Sequence, residues 1–221
     1  MENYLLIDGE KFFFQEQKLV HGMKAMDLAV AEENFRLFQD VVHTSGLRYG
    51  LIFGTLLGAI REKGFIPHDE DTDIFLLNED VDAFLRLLPR LKEKGLEVVR
   101  FPGSYISLMR KNEYIDVYFF VERQKWGGRR VRVSRDDFEL PARYLEETDS
   151  FPFLGVETRV PRQAESVLVK LYGKDWRVPR KDKFAEPNSL NSKISKTIRR
   201  VFGSSLNCKW KEDLKKFMAR F

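Results

Sequence analysis

The spacing of hydrophobic residues changes along the chain, and each change predicts an element. Short apolar or alternating runs predict strands, whereas apolar residues three or four positions apart predict amphipathic helices. The predicted strands are 4–7, 11–14, 48–53, 73–77, 96–101, 105–110, 114–122, 127–133 and 151–160, and the predicted helices are 22–45, 55–63, 80–94 and 161–172. With 221 residues, the chain is long enough to bury one core with a tail attached to it.

Residues that favour turns separate several of these elements. Asp8-Gly9 lies between two apolar runs and is typical of a hairpin. Residues 111–113 stand between two predicted strands and indicate a second tight connection. Gly64 and Gly95 follow predicted helices, where glycine commonly ends a helix.

An acidic cluster opens the predicted strand 73–77. Asp71 and Asp73 stand at its entrance, and residues two apart on a strand share a face, with Cα atoms roughly 6.5–7 Å apart. Two carboxylates held this way repel each other unless a cation lies between them, and hard oxygen ligands suit Mg²⁺ or Mn²⁺. The alternative is a solvated acidic loop. Asp69 and Glu70 are expected in the approach loop and not among the ligands.

A third carboxylate lies in the predicted strand 114–122. Asp116 is the only charge within residues 114–120, a run of β-branched and aromatic residues expected of a central strand. Such an aspartate is costly unless it is paired or binds a metal. If the two strands are neighbours, about 4.8 Å apart, Asp116 completes a triad for one or two metal ions. The alternative is a buried Asp116 paired with a lysine or an arginine.

A glycine–threonine turn precedes the acidic cluster. Gly54 lacks a Cβ, so a phosphate can approach the backbone where a helix N-terminus offers free N–H groups. Thr55 is expected to cap that helix and to donate its hydroxyl to a phosphate. Arg61, in the last turn, either reaches a substrate phosphate or complements the helix dipole. Lys170, on the predicted helix 161–172, either touches donor phosphates or is a surface lysine.

Three separated motifs carry a resemblance to a known family. They are residues 53–61 (FGTLLGAIR), residues 64–74 (GFIPHDEDTDI) and residues 169–179 (VKLYGKDWRVP). The first two, with the distal Asp116, resemble the pattern of the nucleotidyltransferase superfamily. More narrowly, the set resembles the LicD family, which includes choline-phosphate transferases and fukutin-type ribitol-phosphate transferases.

The resemblance implies an α+β fold with a nucleotidyltransferase-like mixed β-sheet flanked by helices. It also implies transfer of a substituted phosphate, such as phosphocholine, from a CDP-linked alcohol donor to a hydroxyl of a glycan or lipid-linked sugar in polysaccharide or glycoconjugate synthesis. Carried over by position, Asp71 and Asp73 would bind Mg²⁺ or Mn²⁺, and Asp116 would be the third acid or the base. Gly54 and Thr55 would cradle the donor diphosphate.

Other functions use the same residues differently. A strict nucleotidyltransferase would move a nucleoside monophosphate from a triphosphate and release pyrophosphate instead of CMP. A glycosyltransferase with residues 71–73 as its metal motif usually needs a longer nucleotide-binding half before that motif. A non-catalytic module that binds a polyanion is the remaining alternative, although all three acids are present.

Charge is distributed unevenly along the chain. From Lys174 onward there are 14 basic and 5 acidic residues, whereas the preceding residues hold 24 basic and 29 acidic ones. We therefore expect a catalytic domain over 1–180, on which the hairpin and helix of 1–46 pack, and a basic helical C-terminal segment over 181–221. Its apolar stripes, within 193–202 and 209–221, either pack on the domain or give peripheral contact with a membrane. Nucleic acid is not an expected partner.

The remaining composition bears on location. No apolar run approaches 18 residues, and residues 1–4 lack the basic start of a signal peptide. The single Cys208 excludes an internal disulfide framework. A cytoplasmic protein is expected, with peripheral contact at the inner face of the membrane as an open alternative.

Overall fold

The computed structural model describes residues 3–19, 25–134 and 138–179. Contacts divide the chain into two units, Met1–Leu171 and Tyr172–Phe221, and the predicted site residues lie in the first. The predicted basic segment 181–221 and its helices lie outside the described residues. Within the described ranges, no helix is long and apolar enough to span a bilayer.

An N-terminal hairpin precedes the main sheet. Strands β1 (Asn3–Ile7) and β2 (Glu10–Phe14) pair antiparallel. Asp8 and Gly9 connect them with φ of +51° and +87°, the left-handed backbone of the tight turns that suit the twist of a hairpin. The predicted Asp-Gly hairpin is confirmed.

The main sheet has seven strands and mixed direction. They are β3 (Tyr49–Leu51), β4 (Thr72–Leu77), β5 (Glu97–Arg100), β6 (Tyr105–Arg110), β7 (Glu113–Gln124), β8 (Arg130–Val133) and β9 (Glu139–Pro141). Their spatial order is β3-β4-β7-β6-β5, and β8 pairs with β7 and β9. Strands β4 and β7 are parallel, whereas the other pairs are antiparallel. The predicted mixed sheet is confirmed.

Helices flank the sheet, as predicted. They are α1 (Leu28–Val42), α2 (Phe53–Arg61), α3 (Val81–Leu85), α4 (Leu88–Glu93), α5 (Arg143–Glu146) and α6 (Ala164–Tyr172). Helix α1 contributes Phe38, whose fully buried ring contacts the rings of Tyr49 and Phe84. Because Tyr49 is the partner of Leu76 in the sheet, this contact lies on the face that carries Leu76 and Ile74.

Several predicted elements differ from the structure in their extent. The predicted helix 80–94 is divided into α3 and α4, and Pro89 lies in the first turn of α4, where its missing N–H costs no helical hydrogen bond. The predicted strand 151–160 is a hairpin of β10 (Thr148–Phe153) and β11 (Val156–Pro161). Its turn places Leu154 and Gly155 at φ of +53° and +78°. Helix α1 begins at Leu28, capped by the Asp27 carboxylate, and not at residue 22.

Candidate functional site

A row of polar residues crosses four adjacent strands of the main sheet. Asp73 of β4 is the register partner of Asp116 of β7, which is opposite Ser107 of β6, which in turn is opposite Arg100 of β5. Side chains of register partners lie on the same face of a sheet. The expectation that the strands carrying Asp73 and Asp116 are neighbours is confirmed.

Asp116 is fully buried and its carboxylate is the most heavily hydrogen-bonded group of the row. The Arg100 Nη2 donates to both carboxylate oxygens, at 3.2 Å to Oδ1 and 2.9 Å to Oδ2. The hydroxyl of Ser107 donates to Oδ1, and that of Tyr118 donates to Oδ2 over 3.1 Å. Asp116 is therefore an arginine-paired aspartate here, and its proposed role as a metal ligand or base requires that a hydrogen bond be exchanged.

Asp73 is hydrogen-bonded to the first turn of α2. The Gly54 N–H donates to Asp73 Oδ2 over 3.1 Å, and the Asp73 N–H donates to the Thr55 hydroxyl oxygen over 2.8 Å. The Ile52 N–H also donates to the Asp73 carbonyl over 3.2 Å. Asp73 is only 5% exposed and Thr55 only 1%. Gly54 and Thr55 thus position the carboxylate, whereas their predicted contacts with a phosphate stay predictions.

The predicted cap of α2 is wrong. The helix begins at Phe53, and Ile52 occupies the cap position without a side-chain hydrogen bond. Thr55 lies inside the first turn, where its hydroxyl oxygen is taken by the Asp73 N–H. Phe53 itself has a φ of +47°, a left-handed conformation that is costly for a bulky residue. Its ring packs on Tyr118, with 5.1 Å between centroids.

Asp69 lies closer to the site than the sequence interpretation placed it. A Cβ added at Gly54 would collide with the Asp69 carboxylate, so that carboxylate sits directly against the α2 turn. The Met26 N–H donates to the Asp69 carbonyl over 2.9 Å and holds the loop in place. Asp69, Asp71 and Asp73 alternate along the sequence, and this pattern could have indicated Asp69 as a site residue.

The carboxylates of the site share a surplus of negative charge. Burial raises the pKa of Asp73 well above its ordinary value of 3.8, and the charges of Asp71, Asp69 and Asp116 raise it further. Burial also raises the pKa of Asp69. Burial raises the pKa of Tyr114 as well, with the charges of Asp71 and Asp116 adding to it. A divalent cation would relieve this repulsion, and carboxylate oxygens are the ligands that Mg²⁺ and Mn²⁺ prefer.

Carboxylate oxygens suit such a cation, but the carboxylates of the site are not arranged to coordinate one together. In the described part of the chain, no three acidic, histidine or cysteine side chains are grouped so that they could hold a metal ion. Asp116 faces Arg100 instead. If these carboxylates bind a metal ion, their side chains would have to rearrange.

The two predicted phosphate-binding cations are placed differently. Arg61 ends α2, and its Nε lies 2.6 Å from Glu62 Oε1. Lys170 lies exposed in the last turn of α6. Phosphate binding by either residue stays a prediction. Arg100 was not predicted, because in sequence it is only one of several basic residues at strand ends.

A cavity of about 690 Å³ lies elsewhere, between the N-terminal hairpin and β5. Its walls include Phe12, Phe14, Lys92 and Glu97. None of the acids around Asp73 lines it. The chemistry of the polar row, and not the volume of this cavity, therefore locates the candidate site.

Comparison with known proteins decides the family. Residues 46–163, more than half of the chain, match the profile described as the LicD/FKTN/FKRP nucleotidyltransferase domain. The chain belongs to the LicD family. The matched region contains the α2 turn and the whole polar row.

Curated relatives of this LicD-family chain include named transferases. Mouse ribitol-5-phosphate transferase FKTN is 28% identical over 159 residues, which cover 67% of this chain and 33% of that protein. The lipopolysaccharide cholinephosphotransferase LicD of Haemophilus influenzae is 46% identical over 39 residues, 18% of this chain and 15% of that protein. The matched regions span about a third or less of these relatives.

Solved structures resemble the chain more distantly. The lincomycin-bound lincosamide adenylyltransferase LnuA is 13% identical, with a TM-score of 0.43 over 62% of this chain and 84% of that one. Similarity at this level carries no argument about what the LicD-family chain binds.

Removing the charge of Asp73 is expected to stabilise the metal-free protein at neutral pH. The raised pKa of Asp73 means that its protonated form favours folding, and this contribution is lost as pH rises from about 3.8 through the higher folded value. Asp73→Asn should therefore increase the free energy of unfolding by about 0.5–2 kcal/mol at pH 7.5, and the gain should shrink towards pH 4. Denaturant unfolding in EDTA measures it. A variant less stable than wild type, by an amount independent of pH, would contradict this account.

Adding a methyl group at Gly54 is expected to displace the Asp69 carboxylate without unfolding the chain. The colliding atoms belong to the carboxylate at the end of the flexible Asp69 side chain, so this side chain can move aside. Gly54→Ala should weaken Mn²⁺ binding about tenfold or more in calorimetry while the melting temperature changes little. Gly64→Ala is the matched control, because a Cβ there meets open space. Unchanged Mn²⁺ affinity in Gly54→Ala would show that Asp69 is not at the metal site.

Proposed function

We propose that this LicD-family chain is a Mg²⁺- or Mn²⁺-dependent phosphotransferase. The transferred group is a substituted phosphate, such as ribitol phosphate or phosphocholine, from a CDP-linked donor to a sugar or glycan hydroxyl. The supporting observation is that the charges of Asp71, Asp69 and Asp116 all act on Asp73, and that Asp73 and Asp69 lie against Gly54, in the region matched to the family. The names of the relatives support the type of group transferred.

The chain's own residues would act mainly by positioning and by charge. Asp71 and Asp73 would hold the metal, with Asp69 beside them and Asp116 as the third acid. When bound, the metal would neutralise charge on the donor diphosphate and on the departing CMP, the main requirement of phosphoryl transfer. The α2 turn fixes Asp73 through Gly54 and Thr55, so the carboxylate does not need to be ordered when the donor arrives.

The reaction balances without any further reactant. The acceptor hydroxyl oxygen forms a bond to the phosphorus that carries the alcohol, and the bond from that phosphorus to the bridging oxygen breaks. CMP leaves with that oxygen, and the hydroxyl proton passes to a base. Asp116 can serve as this base only after it releases one of its hydrogen bonds, because both of its oxygens already accept two.

A strict nucleotidyltransferase would use the same carboxylates, and the description of the matched domain keeps it as the second candidate. The products separate the two. Incubation with CDP-ribitol or CDP-choline, an acceptor glycan and Mn²⁺ should release CMP. Release of pyrophosphate from a nucleoside triphosphate, with no CMP from either CDP-alcohol, would favour the second candidate.

Loss of either metal-binding aspartate is expected to abolish turnover. Asp71→Ala and Asp73→Ala should each lower the rate of CMP release by about 10³-fold or more, because the donor charge is no longer neutralised. Circular dichroism should show an intact fold. Asp82→Ala, an exposed carboxylate on α3, is the matched control and should keep full activity. Retained activity in Asp71→Ala or Asp73→Ala would refute the site.

A further inference from the structure

Arg100 occupies the end of the polar row and is held there by three kinds of contact. Its Nη2 bonds both oxygens of Asp116, and its Nε donates to the Ser107 hydroxyl over 3.0 Å. Its guanidinium carbon lies 4.8 Å from the centre of the Tyr105 ring. These contacts fix the plane of the guanidinium, so its orientation is set before any ligand binds.

One edge of this guanidinium is unused. Arginine carries five N–H donors, and the contacts of Arg100 employ Nε and Nη2. Among the described residues, Nη1 donates no hydrogen bond. The side chain keeps 15% of its surface exposed, so Arg100 is not sealed within the core.

The carboxylates near Arg100 make it suited to binding an anion together with a metal ion. Asp116 is hydrogen-bonded to Arg100, and Asp73 is the register partner of Asp116 on the next strand. An anionic diphosphate would be repelled from these carboxylates unless cations stood between them. A bound divalent metal would supply one such cation, and Arg100, already in the row, would supply a second with a planar fork that matches phosphate oxygens.

We propose that Arg100 is a donor-binding residue whose Nη1 edge binds the diphosphate of the CDP-linked donor, while its Nη2 edge competes with the metal for Asp116. This inference rests on the proposed function, and it names a phosphate contact that the sequence motifs did not indicate. Ser107 and Tyr105 are positioning residues, because they touch Arg100 and hold its plane.

A purely structural role predicts a different pattern. If Arg100 only neutralises the buried Asp116, its removal lowers the stability of the protein. Its removal also increases the affinity for Mn²⁺, because a competing cation is gone. The affinity for a nucleotide diphosphate at saturating Mn²⁺ stays unchanged. The two roles are therefore separated by diphosphate affinity at saturating Mn²⁺, and not by stability.

The experiment measures three quantities in Arg100→Gln, Arg100→Lys and wild type: the melting temperature, the dissociation constant of Mn²⁺ alone, and the dissociation constants of CDP and CMP at saturating Mn²⁺. Arg100→Gln should bind Mn²⁺ more tightly yet bind CDP about 10- to 100-fold more weakly, as expected for the loss of a charge-assisted hydrogen bond. CMP should be affected less than CDP. Arg90→Gln, an exposed arginine on α4, is the matched control and should resemble wild type.

Arg100→Lys provides a second test if Arg100→Gln does not fold, because the lysine keeps a positive charge beside Asp116. It should bind CDP about fivefold or more weakly than wild type, since an ammonium cannot bond Asp116 and a phosphate with one rigid fork. CDP affinity within twofold of wild type in either folded variant would overturn the inference. Failure of wild type itself to bind CDP with Mn²⁺ would instead contradict the proposed function, so the two failures are distinguishable.

Discussion

The repulsion among carboxylates gathered around Asp73 is the constraint on which the site depends. Asp73 is nearly buried, and Asp69, Asp71 and Asp116 all act on it through their charge. Buried like charges destabilise a fold unless cations or hydrogen bonds offset them. The protein supplies the Gly54 N–H to Asp73 and the Arg100 guanidinium to Asp116. In the function that we propose, a bound divalent cation would supply the rest of the offset.

The sheet makes this concentration of charge possible. Parallel pairing of β4 and β7 sets Asp73 directly opposite Asp116, and the antiparallel strands β6 and β5 extend the row to Ser107 and Arg100. The first turn of α2 lies against the same row through Gly54 and Thr55. Phe53 has a φ of +47°, and its ring packs on the buried ring of Tyr118. The sheet and the first turn of α2 thus bring together acids whose negative charges act on Asp73.

The spacing of apolar residues predicted most strands and helices of the chain. It did not predict the site contacts that depend on distant segments meeting in the fold. The lone charge in the apolar run around Asp116 predicted a central strand, and the pairing with β4 confirmed it. The division of helix 80–94 and the hairpin at Leu154 depend on local backbone conformation, which the spacing of apolar residues does not predict. Arg100 and Asp69 entered the site only through sheet register and a close approach to Gly54, neither of which is visible in a single sequence. The roles of Arg61 and Lys170 remain predictions for the same reason.

The most direct measurement is the melting temperature of the full chain with CDP-ribitol, CDP-choline, CDP-glycerol, CTP or a UDP-sugar, each with Mn²⁺ and each with EDTA. A ligand at about 100 times its dissociation constant adds about 2.7 kcal/mol to the folded state, which is readily detected. The account predicts stabilisation by at least one CDP-alcohol in Mn²⁺ and none in EDTA. Equal stabilisation with and without metal would contradict a carboxylate site that binds its donor through a divalent cation. Stabilisation by CTP alone would contradict a CDP-linked donor.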